Sequence, residues 1–208
     1  MPRGQPLELG FGRPFGEPSP GHVSIGREQG AYAGDVSIQP TGEAASAAAE
    51  LITARALWVI KQDAAPAAIS AATRALVEGS DSEPLRELAG TPIDINAFEL
   101  GELIDASLDS LGLPTSGMTK DDALVITARY FAQQVIDGRL PVREFTAWAH
   151  SVIGHEGPSL AQDIVILDDL YDGFEGGWGE EPDPMQTLER FLDASRGSVQ
   201  KWAQARGV

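Results

Sequence analysis

The chain has 208 residues, 15 Lys and Arg against 31 Asp and Glu, no Cys, and a formal net charge of -16. At 42% hydrophobic it is too apolar to be disordered throughout; no window approaches the roughly 20 apolar residues of a membrane span, and the start MPRGQPLELGFGRPFGEPSPG lacks the apolar core of a signal peptide. These figures predict a cytoplasmic protein and exclude disulfides, thiolate metal sites and a Cys nucleophile, while nucleic acid and anionic membrane are set aside as direct partners because both would be repelled.

Residues 1–43 form a Pro/Gly-rich arm in which Pro2, Pro6, Pro14, Pro18 and Pro20 forbid a continuous helix. Two short runs inside it, His22 to Ile25 and Asp35 to Ile38, are spaced to pair as a small β-ribbon. From Glu43 the texture turns to Ala-rich helix, predicted to about Gln62 with Leu51, Ala54, Leu57 and Trp58 inward. Pro66 then opens a second helix whose expected buried stripe is Ile69, Thr73, Leu76 and Val77. Ser82 to Leu88 and Ile93 to Leu111 are two further helices, the latter with Ile95, Phe98, Leu103, Ile104, Leu108 and Leu111 apolar.

The second half repeats this grammar. Thr119 and Asp122 are spaced as a capping box before a helix to Ile136, with Leu124, Ala128, Phe131 and Val135 on one stripe. Pro141 opens the next, with Val142, Phe145, Ala149, Val152 and Ile153 apolar. Ser159 and Gln162 have capping-box spacing before a helix whose Leu160, Ile164, Leu167, Tyr171 and Phe174 follow three-and-four spacing. A Gly, Pro and acid loop surrounds Trp178, and a last helix is predicted from about Met185 towards Ala205. Ile52-Thr-Ala-Arg55 recurs as Ile126-Thr-Ala-Arg129, so residues 44–113 and 119–205 form a candidate internal repeat. The expected architecture is a mainly all-α helical bundle over 44–208, either one body or two packed helical modules, carrying the N-terminal arm.

The charge is regional. Residues 1–77 carry a net of -1, residues 78–193 a net of -18, and the last fifteen residues a net of +3. Stretch 78–110 holds nine acids and only Arg86, and stretch 156–189 holds ten acids and no base. In the helix after Ser159, Asp168, Asp169 and Asp172 are expected to crowd the side opposite the apolar stripe, at a cost of roughly 0.2 to 0.5 kcal/mol per like-charge pair. Such crowding fits a surface for a basic partner, a cation site, or a solvated face screened by salt.

No motif carries catalysis, and the expected catalytic set is none. Asp168-Asp-Leu-Tyr-Asp172 has the DDxxD form that holds magnesium in some prenyl-diphosphate enzymes, yet the chain is short and has no second such cluster. His150, His155 and Glu156 match no zinc signature, and five residues across a helix end give no shared face, so neither a metal nor a cofactor is expected. GxSxG and GxxxxGK[ST] are absent. Trp178, set among Gly176, Gly177 and Gly179 and followed by Glu180 and Glu181, has the composition of an anchor for a cationic surface.

Residues 123–193 resemble the colicin D immunity protein type of module. The likeness lies in Ala128-x-x-Phe131 before a Gly-bearing turn, Arg143-Glu-Phe145 opening a helix, and Leu167-Asp-Asp-Leu-Tyr171 followed by an acidic loop. It covers about a third of the chain, and the doubled length and Pro/Gly-rich arm depart from it. The resemblance implies an all-helical acidic inhibitor that plugs the cationic cleft of a tRNA-cutting toxin, with Asp168, Asp169, Asp172 and Glu175 imitating substrate phosphates. The expectation is therefore a non-catalytic binding protein for a basic, toxin- or nuclease-like partner, contacting it through Asp168, Asp169, Tyr171, Asp172, Glu175, Trp178, Glu180 and Glu181. The alternative is an adaptor in a larger assembly that docks on its neighbours through the N-terminal arm.

Overall fold

The computed structural model describes residues 46–113 and 116–203, and among them all regular structure is helical. The arm, including the runs expected to form a β-ribbon, lies outside the described residues. Nine α-helices follow in these segments: α1 Ala47–Val59, α2 Ala65–Val77, α3 Glu83–Ala89, α4 Ala97–Ser110, α5 Lys120–Ile136, α6 Val142–Val152, α7 Gln162–Glu175, α8 Pro184–Ala194 and α9 Arg196–Ala203. No helix among the described residues is long and apolar enough to cross a membrane.

Local chemistry accounts for most boundaries. Ser46, Ser82, Asn96 and Asp183 each accept a backbone N–H of the first turn, and Thr119 with Asp122 makes the capping box read from their spacing. Proline occupies the first turn of α2, α3 and α8, where its missing N–H costs nothing. The spacing of Ser159 and Gln162 misleads, however. Ser159–Ala161 is a 3-10 turn, and the Gln162 amide donates to the Gly154 and Gly157 carbonyls at 3.0 and 3.2 Å, tying down the preceding loop instead of capping a helix.

Helices α1 and α5 pack side by side and join two groups. On one side α1 packs against α2 and α4, with α3 between those two; on the other α5 packs against α6, α8 and α9, with α7 lying on α6 and α8. The core runs through both groups, from Leu51, Ile52 and Leu85 to Ile126, Phe145, Ile164 and Leu188. Phe131 and Trp148 meet edge to face at 4.8 Å, anchoring α6 on α5. The repeated tetrapeptide has parallel placements: Ile52 and Ile126, and Ala54 and Ala128, are buried, whereas Arg55 and Arg129 leave their helices to reach α4 and the α8–α9 junction.

Two predicted faces and one predicted helix of this framework differ. On α2 the buried residues are Ala65, Ala68, Ala71, Ala72 and Ala75, while Thr73 and Val77 are exposed. Alanine loses no side-chain entropy and lets a neighbouring helix come close, so the Ala face of α2 wins the contact with Ala-rich α1 over its larger residues. On α4, Phe98 is exposed and Trp58 of α1 takes the inward place: its indole N–H donates to the Ala97 carbonyl at 2.5 Å, and its ring lies against Gly101, where a Cβ would stand 2.6 Å from Cε2 and Cζ2. The third is the single C-terminal helix, which is two. At the break the Arg129 guanidinium donates to the Leu192 carbonyl and to Ser195 Oγ, the former an acceptor that an unbroken helix would give to its own N–H.

Candidate functional site

The site is built on α6, α7 and the acidic loop that follows. Arg143, in the first turn of α6, projects across α7 and gathers three of the predicted carboxylates. Nη1 donates to Asp168 Oδ1 at 2.7 Å, Nη2 to Asp172 Oδ1 at 2.7 Å, and Nε lies 2.9 Å from Glu175 Oε1. Its guanidinium carbon stands 5.1 Å from the centre of the Tyr171 ring. Burial works against the charge on Arg143, but Asp172, Asp168 and Glu175 together outweigh it and hold the guanidinium protonated more firmly than usual.

This arrangement corrects the expectation that Asp168, Asp169 and Asp172 share the polar side of the helix. Asp168 is only 4% exposed. Its Oδ1 also accepts from the Thr146 hydroxyl at 2.8 Å, and its Oδ2 lies 3.2 Å from His150 Nδ1. The α6–α7 contact wraps far enough round α7 to cover position 168, and the carboxylate is tolerated there because three polar neighbours face it. Tyr171 is buried as well, so neither residue is available to a partner. Burial chiefly, then the carboxylate of Glu181, pushes the Tyr171 phenol up and keeps it neutral, with Arg143 opposing.

The other six predicted contacts, Asp169, Asp172, Glu175, Trp178, Glu180 and Glu181, are exposed. Stretch 156–189, base-free in sequence, is not base-free in space, since Arg143 comes from outside it; one guanidinium against three carboxylates still leaves the cluster at -2. Trp178 is 80% exposed, and its backbone N–H donates to the Gly173 carbonyl at 2.7 Å, so the loop turns back onto the end of α7. Left-handed Gly177 and Gly179, at φ +82° and +88°, flank it and permit that reversal.

The other half of this face is apolar and lies outside the residues expected to meet a partner. Ile166, Leu170 and Phe174, spaced every fourth residue, are 45%, 53% and 39% exposed and form a stripe that no other described helix covers, followed in the chain by exposed Trp178. The spacing of Leu160 and Phe174 predicts inward positions, yet both are on the surface. The available signal was that α7 carries two apolar stripes, 164/167/171 and 166/170/174, of which a helix on the outside of a bundle buries one. Asp163 and Asp169 belong to the same helix as the exposed stripe, and Glu180 and Glu181 to the loop that follows it; all four are exposed. The other acidic stretch belongs to different elements: Glu87, Asp94, Glu99 and Glu102 line a shallow cleft of about 450 Å³ by α3 and α4.

The histidines are also placed otherwise than expected. Gly154, at φ +68°, reverses the chain after α6, and the His150 and His155 rings come to 5.2 Å of each other beside Asp169. They do share a face, because the turn folds back instead of continuing the helix.

Fold and site together define, among the described residues, an all-α bundle whose outer helix α7 exposes apolar and acidic side chains together. No family model, no curated protein and no solved structure matches the chain.

Proposed function

We propose that this chain is a non-catalytic, cytoplasmic acidic binding protein whose α7 face occupies a basic, nucleic-acid-binding site of a toxin- or nuclease-like protein. The observation that carries the reading is that α7 and the loop after it expose both large apolar groups, Ile166, Leu170, Phe174 and Trp178, and carboxylates, Asp163, Asp169, Glu180 and Glu181. Apolar side chains at the centre of an interface, desolvated on docking, limit dissociation, while charges at its edge accelerate encounter and select a basic partner. A face serving solubility alone would mix both signs and keep large apolar groups off the surface. The exposed acids, Asp172 and Glu175 among them, are the groups that stand in for phosphates; Asp168 is removed from that role by its burial.

The full chain immobilised in host lysate at low salt tests this. The expected capture is a protein with a basic nucleic-acid-binding surface, displaced by added tRNA and lost with the double variant I166D/L170D. A captured set that neither tRNA nor the double variant changes would falsify the reading.

A further inference from the structure

Two imidazoles and a carboxylate converge where α6 turns into the loop before α7. Asp169 Oδ1 lies 3.7 Å from His150 Nε2, and its Oδ2 lies 3.5 Å from His155 Nε2. One ligand atom from each of the three residues falls within 4.8 Å of the others. A tetrahedral zinc ion, with bonds of about 2.0 to 2.2 Å, sets its ligand atoms about 3.3 Å apart. The observed separations therefore close onto such an ion with small side-chain movements. His150 is half-buried, and His155 and Asp169 are exposed, so an ion reaches them directly from solvent.

The surroundings fit a ligand role. His150 presents its two nitrogens to different carboxylates: Nε2 faces Asp169, and Nδ1 lies 3.2 Å from Oδ2 of buried Asp168. A buried carboxylate beside Nδ1 stands where an outer-sphere partner orients a metal-binding histidine, with Nε2 turned towards the cluster. Asp168 is itself fixed by Arg143 and Thr146, so the orientation is built into the α6–α7 contact. The His155 loop is held too, by Gln162 at its Gly154 and Gly157 carbonyls, and a Cβ at Gly157 would meet Ile153 Cγ2 at 2.5 Å.

We propose that His150, His155 and Asp169 bind one zinc-type divalent transition cation, with Asp168 as the positioning residue and solvent in the fourth coordination place. The donor set selects the metal: imidazoles favour zinc or cobalt, whereas magnesium and calcium require all-oxygen shells. Three protein ligands with one open place differ from the closed four-ligand shell of a purely structural zinc. The site belongs to the free chain and needs no partner, so its failure would leave the docking reading standing.

Calorimetric titration of ZnCl2 into the full, tag-free chain tests it, with CoCl2 absorption reporting geometry. The expected result is one ion per chain, unaffected by excess MgCl2, with the visible bands of tetrahedral cobalt. H150A and H155A should each weaken binding by more than tenfold, and D168N by about tenfold although it supplies no ligand, which is the usual scale for an outer-sphere partner. Circular dichroism of each variant separates loss of a ligand from loss of fold, and the far exposed H155A is the variant least able to disturb packing. Absence of saturable binding, or zinc binding that H155A leaves unchanged, would overturn the proposal.

Discussion

Arg143 Nη1 donates to Asp168 Oδ1 at 2.7 Å, and the same oxygen accepts from the Thr146 hydroxyl at 2.8 Å. This contact clamps α7 onto α6 and makes Asp168 a structural carboxylate. Arg143→Ala leaves a buried charge with only Thr146 and His150 facing it, and should cost about 2 to 4 kcal/mol, between an orphaned buried polar group and a broken buried ion pair. Asp168→Asn should cost less, because an amide still accepts one of these bonds. From the sequence, replacing Asp168, Asp169 and Asp172 together by Asn would be expected to relieve repulsion and stabilise the fold slightly; with Asp168 in the clamp, the sign reverses. Urea midpoints decide it, and an R143A midpoint equal to wild type would show that the clamp contributes nothing.

Gly101 and Trp58 form the second testable contact. A methyl group at 101 would stand 2.6 Å from two indole carbons, so Gly101→Ala should lose about 1 to 3 kcal/mol to overpacking despite the better helix propensity of Ala. The same substitution made on a Trp58→Ala background should instead stabilise, by about 0.5 to 1 kcal/mol, because only the propensity gain remains. A double-mutant cycle of thermal unfolding reads the change of sign, and equal effects on both backgrounds would contradict the contact.

Acid should weaken the fold. Burial, the largest influence on Asp122, pushes its carboxyl up, but the Thr119 hydroxyl and N–H together with Lys201 outweigh it and hold it below the usual range. Arg139, then Gln133, do the same for Asp137. A folded-state pKa below the unfolded one gives stability that is complete above the unfolded value, about 4 for Asp, and is lost as pH falls through the folded value. Asp105 acts in the opposite sense, since burial raises its carboxyl and Arg55 only partly offsets that. The comparison is therefore between chains: Asp122→Asn should flatten the loss of stability below about pH 5. A slope equal to wild type would remove Asp122 from the account.

The α7 face predicts a separation of stability from binding. Leu170→Asp and Trp178→Ala change exposed side chains and should shift stability by no more than about 0.5 kcal/mol. Association with the captured partner should slow steeply as salt rises, and these two variants should act mainly on dissociation. Deleting residues 1–40 should leave that association intact; loss of the partner on deletion would favour the adaptor built on the N-terminal arm.

Much of the architecture was legible in the chain itself. Helix starts at Ser82, Thr119 and Pro141, the loop around Trp178, and the inward positions of Leu51, Ile104, Phe131 and Phe145 follow from capping chemistry and three-and-four spacing, which depend on a few neighbouring residues. Periodicity shows that a helix has a face, but not which of two comparable faces is covered. For α2 and α7 that was decided by the helices packed against them, so Val77 and Leu170 point outward while Ala75 and Asp168 do not. Local sequence sets most of the helix starts, and composition sets the large negative charge and its concentration in residues 78–193. Tertiary structure decided where that charge is felt. Arg143, 25 residues from Asp168, and the left-handed turn at Gly154 bring together groups whose separation along the chain carries no signal, because ion pairs and convergent ligands depend on distance in space.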